Sequence, residues 1–279
     1  MPRRPRMCLV PTLAAFATVA TVIAACACAG GSSDGGSSAG SAAPASSPVA
    51  RSSLIRALEA TRAVQSGRVE VTTAITDLDN EPDPPPGGRL TIAEYRVAFD
   101  RRAARVEVEA DLSAAEGAAG GDPRAGDGPG DEARPAARMI AAGGMVYAQG
   151  GPMAAAVGRA PGDWVAVELE AFGDGRPSGD AVALLLDPLG PFGVLADTTG
   201  DARVVGHDVK RGIPVTHMAT HADAGGSMAR VHAWVDADGV IRRLEVGLAG
   251  RTGAGRVVTT VELFDIGRAM TIAPPGEER

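Results

Sequence analysis

Eleven times between Arg68 and Phe264 the sequence alternates apolar and polar residues at period two, the spacing of a strand with one buried face. The runs are Arg68–Leu78, Leu90–Phe99, Ala104–Leu112, Arg138–Ala142, Met145–Gln149, Trp164–Leu169, Ala202–Val209, Ile213–His221, Met228–Val235, Val240–Leu248 and Val257–Phe264. Most connections between them are short. A parallel pair needs a crossover of a dozen or more residues, so the runs predict sequential antiparallel pairing. Gly143-Gly144 and Asp238-Gly239 supply the tightest turns, each flanked by alternating runs. Glycine and proline together make 57 of 279 residues, which disfavours a bundle of long helices. The fold class is α+β, mainly antiparallel β, and the length after Val49 fits one large domain or two small ones.

Two regions break the alternation. Leu54, Ile55, Leu58, Thr61 and Val64 recur at helical spacing, predicting a helix over Ser52–Gln65 with Ser52 or Ser53 as its cap and Gly67 as its stop. Asp180–Leu195 is densely apolar and interrupted by Pro188 and Pro191, which predicts two short helices. Eleven strands present a wide apolar face and these helices are short. Leu184, Leu185, Leu189, Phe192 and Leu195 are therefore expected to cover that face, with a hollow between them and inward strand residues such as Tyr147, Val165, Val167 and Val246. The alternative is a plainly packed core. Residues 113–136 are almost devoid of large apolar side chains and read as a surface insertion.

The amino terminus has the three-part layout of a secretory signal: Arg3, Arg4 and Arg6, an apolar run from Leu9 to Ala25, and small residues at its end. Ile23-Ala24-Ala25-Cys26 resembles a bacterial lipobox, which assigns residues 1–25 to a signal peptide and Cys26 to lipidation. A retained membrane anchor is the alternative. Residues 26–48, rich in Gly, Ser and Ala, then form a flexible tether ahead of a domain at 49–279. The chain carries a formal charge of -7. With cleavage before Cys26 three of the 27 basic residues leave, so 24 remain against 34 acidic ones, a net -10. That balance argues against a nucleic-acid partner and against adhesion to anionic headgroups by basic patches alone. Acyl chains on Cys26 would instead hold the protein on the outer face of the cytoplasmic membrane.

Chemistry-bearing motifs are scarce. No P-loop, no GxGxxG after a strand, no HExxH and no strand-borne nucleophile elbow occurs, so no catalytic residue is assigned and an enzyme is not expected. The cysteines, Cys8, Cys26 and Cys28, all precede the domain, which excludes a disulfide framework or a thiolate metal site within it. His217 and His221 share a strand face about 13 Å apart, too far to chelate one ion. Asp236-Ala237-Asp238-Gly239 lacks the bidentate Glu of a calcium loop and reads as a turn. The acidic run Asp77, Asp79, Glu81, Asp83 reads as a solvated loop or a weak cation site. No metal and no cofactor are expected.

Several phrases occur in a telling order: Met145-Val146-Tyr147-Ala148-Gln149-Gly150, Asp163-Trp164-Val165, Asp187-Pro188-Leu189, Gly206-His207-Asp208-Val209, Gly212-Ile213-Pro214-Val215-Thr216-His217 and Trp234-Val235-Asp236-Ala237-Asp238-Gly239, with Phe264-Asp265-Ile266-Gly267 before Pro274-Pro275. Behind a lipobox, residues 50–279 thus resemble the actinobacterial lipoproteins of the LppX/LprG type, related in fold to the LolA/LolB carriers. The resemblance implies a half-open antiparallel β-barrel of about eleven strands, with helices across its concave face and an apolar cavity for acyl chains. Its functional implication is an envelope carrier or presenter of a lipid or glycolipid. A second implication is an extracytoplasmic sensor or adaptor of the RseB/MucB kind, bound to a membrane protein.

Overall fold

Each of the eleven alternating runs forms a strand in the structure, a computed structural model that describes residues 48–76, 89–111, 137–150, 160, 162–169, 180–199, 202–224, 227–249 and 256–277. In chain order they are β1 Ser66–Thr76, β2 Leu90–Asp100, β3 Arg105–Asp111, β4 Ala137–Ala142, β5 Met145–Gln149, β6 Trp164–Glu168, β7 Arg203–Lys210, β8 Ile213–Ala224, β9 Ser227–Asp236, β10 Ile241–Ala249 and β11 Arg256–Phe264. The leader, Cys26 and its tether as far as residue 47, the acidic run Asp77–Asp83 and the 113–136 insertion lie outside the described residues.

The strands make one antiparallel sheet in the order β6-β5-β4-β3-β2-β1-β11-β10-β9-β8-β7. Neighbours in sequence pair within each half, as short connections dictate. Between halves they do not: β6 and β7 are the two open edges, and β1 pairs with β11 instead, from Arg68↔Phe264 to Thr76↔Arg256. The unclosed sheet with helices on one face is the half-open barrel expected from the resemblance.

Helix α1 runs Pro48–Arg62, a turn earlier than its apolar spacing predicts. Proline suits a first helical position because its missing amide would be unpaired there anyway. Ser53 is therefore inside the helix, its hydroxyl donating back to Val49 O at 3.0 Å rather than capping. Gly67 is not the stop either. It lies in β1, where an added Cβ would come within 3.2 Å of Phe264 O. Helix α2 (Asp180–Leu186) and a short 3-10 helix, η1 (Gly190–Asp197), occupy the predicted second helical region, with Pro188 between them.

One face of the sheet and these three helices bury a single apolar cluster. It takes Val69 and Val71 of β1, Ala93 to Phe99 at alternate positions of β2, Val108, Val146, Val231, Leu244, Val261 and Leu263. From the helices come Leu54, Leu58, Leu184, Leu185, Phe192 and Leu195, and from the turn between α2 and η1 comes Leu189. Thr61 ties α1 to the sheet: its hydroxyl donates to Ala57 O at 2.7 Å and accepts the Ile241 amide at 2.9 Å. The outer face holds a second, smaller cluster, in which Ile272 of the carboxyl-terminal segment packs on Ile140 and Ala142. Arg105 fastens that segment by donating to Ile272 O at 2.7 Å.

Candidate functional site

Leu184, Leu185, Leu189, Phe192 and Leu195 are all buried, and they pack into the same cluster as the inward strand residues. Val165 and Val167 stand directly opposite Ala148 and Val146, so their side chains share the inner face. Val246, opposite Val231, packs on the same cluster. Tyr147 is a correction. It sits between the inward Val146 and Ala148 and pairs with Ala166, so the two-residue period turns it to the outer face, against Ile140 and Trp164.

A larger hollow among the described residues lies elsewhere than between these helices and strands. Val49, Ala50 and Ser53 of α1 face Val204 of β7, Thr216 and Met218 of β8, and Val235 and Asp236 of β9, around a space of about 430 Å³. That volume is within the ~300–1,000 Å³ of small-molecule sites. The lining is mostly apolar, with Met218 and Val235 joining it to the core. A bulge creates the geometry. Val204 opposes Met218 but Gly206 opposes His217, so one residue of β7 is left over and the edge strand is re-aimed at α1.

Asp236 would spoil this lining if its charge were free. Its Oδ1 accepts the amides of Asp238 at 3.0 Å and Val240 at 2.8 Å, and Arg242 Nε donates to Oδ2 at 2.5 Å. The carboxylate is fully engaged in closing the β9–β10 turn. The Asp-Gly turn predicted from sequence is thus what neutralises the floor of the hollow.

The outer face is polar across the middle of the sheet. Directly paired residues run Arg138, Glu109, Arg96, Glu70, Glu262, Arg243, Trp234, His217 from β4 to β8. Signs alternate except at Glu70 and Glu262, a like-charge pair that opposes sheet formation. Arg211, from the β7–β8 turn, resolves it: its guanidinium pairs with both carboxylates and stacks 3.9 Å from the Phe264 ring centroid.

Sequence spacing places His217 and His221 on one strand face too far apart to act together, whereas the close pair is His217 and His232. Their Nε2 and Nδ1 are 2.9 Å apart, sharing one hydrogen bond, and His217 stacks on Trp234 with centroids 4.4 Å apart. Among the described residues no three His, Cys, Asp or Glu side chains converge as a metal site.

Burial holds the pKa of both histidines below the ordinary value, reinforced by Lys210 beside His217 and by His217 beside His232. Asp208 and Glu245 near His217, and Glu245 near His232, pull the other way, while Arg256 and Arg230 oppose protonation of His232. A folded-state pKa below the unfolded ~6.5 means that the unfolded chain binds more protons. Stability is therefore full above pH ~6.5 and falls as pH drops through and below that value. Urea midpoints should fall between pH 7.5 and 5.5, and by less in the His217→Gln/His232→Gln variant. Equal pH dependence in the two proteins would contradict this.

No family model matches the chain, and no curated protein matches it in sequence. Solved structures do. Lipoprotein LppX of Mycobacterium tuberculosis is similar at 13% identity and a TM-score of 0.48, over 82% of this chain and 100% of that one. LprF of Mycobacterium bovis is similar at 14% identity and a TM-score of 0.47, over 82% and 98%. A LolA superfamily protein of Nitrosomonas europaea is more distant, at 9% identity and a TM-score of 0.26 over 80% and 94%.

Proposed function

We propose that this chain is an envelope lipoprotein whose domain accepts acyl chains of a lipid or glycolipid, with the hollow between α1 and β7–β9 as its site of entry. The observation that carries this is the hollow itself: about 430 Å³ of mainly apolar space, open to solvent, with Met218 and Val235 of its lining packed into the core. Its one buried charge is already spent on a turn and on Arg242. With Asp236 engaged, the Ser53 and Thr216 hydroxyls are the polar side-chain groups this lining offers, which favours an apolar ligand, and moving an acyl chain into it from a bilayer exchanges one apolar surrounding for another. Transfer is then close to neutral in bulk terms, and its direction is set by a partner or a gradient. The candidate inner positions Leu184, Leu185, Leu189, Phe192, Leu195, Val165, Val167 and Val246 would form the wall against which a longer chain extends.

Cys26 supplies the anchor in this reading, with two or more acyl chains giving lasting attachment on the outer face of the cytoplasmic membrane. Mass analysis of the amino-terminal peptide should find a diacylglyceryl thioether on Cys26, absent from the Cys26→Ala protein. An unmodified Cys26 in the wild-type protein would remove the anchor from the proposal.

Native mass spectrometry of protein taken from its own envelope tests the cargo. Lipid adducts are expected. Val204→Trp should reduce the loaded fraction several-fold while leaving the unfolding midpoint nearly unchanged. The side chain at 204 borders open space, whereas overpacking a filled core costs about 1–3 kcal/mol. A second reading, an extracytoplasmic sensor or adaptor binding a membrane protein, is favoured by the dense packing of Leu184–Leu195 and by the two open sheet edges. Protein without lipid adducts but with a stably co-purifying membrane protein would select it.

A further inference from the structure

We propose that α1 and β7 together form a bilayer-docking surface, which sets the mouth of the hollow against the membrane. The proposal rests on the acyl-chain reading and adds the partner and orientation of that same site. Among the described residues seven large apolar side chains are exposed, and five belong to these two elements: Val49 and Ile55 on α1, Val204, Val205 and Val209 on β7. Singly scattered apolar residues need no explanation, but a concentration on two elements that flank one opening does. Val49 and Val204 line the hollow itself. Exposed Arg51 and Arg56 on α1 and Arg203 at the start of β7 stand beside them, while the exposed carboxylates of the two elements are Glu59 and Asp208, the latter paired with Lys210.

This mixture suits an interface between headgroups and acyl chains. Apolar tips gain by leaving water, while guanidinium groups stay at headgroup depth on their apolar stems. Deeper insertion is excluded because β7 is an edge strand, and its unpaired backbone groups would lose water without gaining partners. A second copy pairing along β7 is the competing occupant.

The order of the chain favours the bilayer. The candidate acylated Cys26 precedes Pro48 by 22 residues, and a flexible chain of that length would span roughly 25 Å. With Cys26 as the anchor, the start of α1, which borders the hollow, would be the part of the domain nearest in sequence to the membrane. The basic residues at this surface also contrast with a chain that is acidic overall, so an anionic bilayer would favour this orientation over others. An acyl chain could then pass between bilayer and hollow without exposing its methylenes to water, which would otherwise oppose transfer.

The test places an environment-sensitive probe at Val205→Cys in the full chain carrying Cys28→Ala. Val205 is on β7 but does not line the hollow, so a lipid bound inside is not its quencher. The control is Ala103→Cys, in the exposed β2–β3 turn beyond the far end of α1. Both proteins are reconstituted by their own anchor into phosphatidylglycerol–phosphatidylcholine vesicles with brominated acyl chains, and flotation confirms attachment. Quenching of about twofold is expected at 205 and none at 103, since interfacial residues reach the acyl boundary. Equal quenching at both sites, or none at 205 in floating protein, would overturn the proposal. So would a probe at 205 shielded from water by a chemically cross-linkable dimer.

Lipid adducts on the same protein are scored separately. Adducts without quenching at 205 reject the docking surface alone. Quenching without adducts rejects the acyl-chain reading and leaves the docking surface standing.

Discussion

Asp236→Ala should destabilise the domain by about 3–5 kcal/mol, the range expected when one partner of a buried ion pair is removed. The side chain of Asp236 is only 3% exposed and that of Arg242 15%, so the stranded guanidinium gains little water in compensation. Two further groups lose their acceptor, the amides of Asp238 and Val240, each at a position where the chain reverses between β9 and β10. Asp236→Asn keeps an oxygen for those amides and forfeits mainly the charge, so it should cost clearly less. Because the pair is enclosed, salt should change neither difference by much. Urea denaturation of the three proteins at low and high salt reads the ordering directly. A loss below 1 kcal/mol for Asp236→Ala would mean that water reaches Arg242. The floor of the hollow would then be wet, which an acyl-chain site cannot be.

That turn shows how far local sequence reaches. Alternation between apolar and polar residues located all eleven strands because one face of each is buried, and Asp238-Gly239 located a turn because Gly239 takes φ 79° without a steric penalty. The pairing of β1 with β11 was not legible in the same way. It joins segments about 190 residues apart, and nothing local in Arg68 or Phe264 names the other. Tyr147 shows the cost of reading a face without its register, since shifting by one residue exchanges the inner and outer sides.

The candidate site was the least legible part. Its lining comes from α1, β7, β8 and β9, and it depends on a single unpaired residue between Val204 and Gly206. A bulge leaves almost no trace in an apolar pattern. The histidine contact was missed for a related reason: His217 stands opposite Trp234 and His232 opposite Ala219, so the two rings meet along a diagonal between strands. Spacing within one strand could suggest only His217 with His221.

Phe192→Ala should be as damaging as the loss of Asp236, by a different mechanism. Phe192 has no exposed surface, and η1, which carries it, packs against both α1 and β8. Truncating a buried phenylalanine removes its transfer free energy and leaves a cavity, together costing about 3–5 kcal/mol. For a domain of this size that is a fall of roughly 10 °C in Tm. The consequence for the hollow follows from connectivity. Because η1 supports α1 from the core side, weakening it should loosen the helix whose first turn borders the opening, so lipid loading should fall along with stability. Val204→Trp should reduce loading without that loss of stability, and the pair of variants separates blocking the site from undermining its support. A small thermal effect in Phe192→Ala would have a specific meaning. It would show that the Leu184–Leu195 segment rests on space rather than on the sheet, and that the acyl-binding volume extends beneath it.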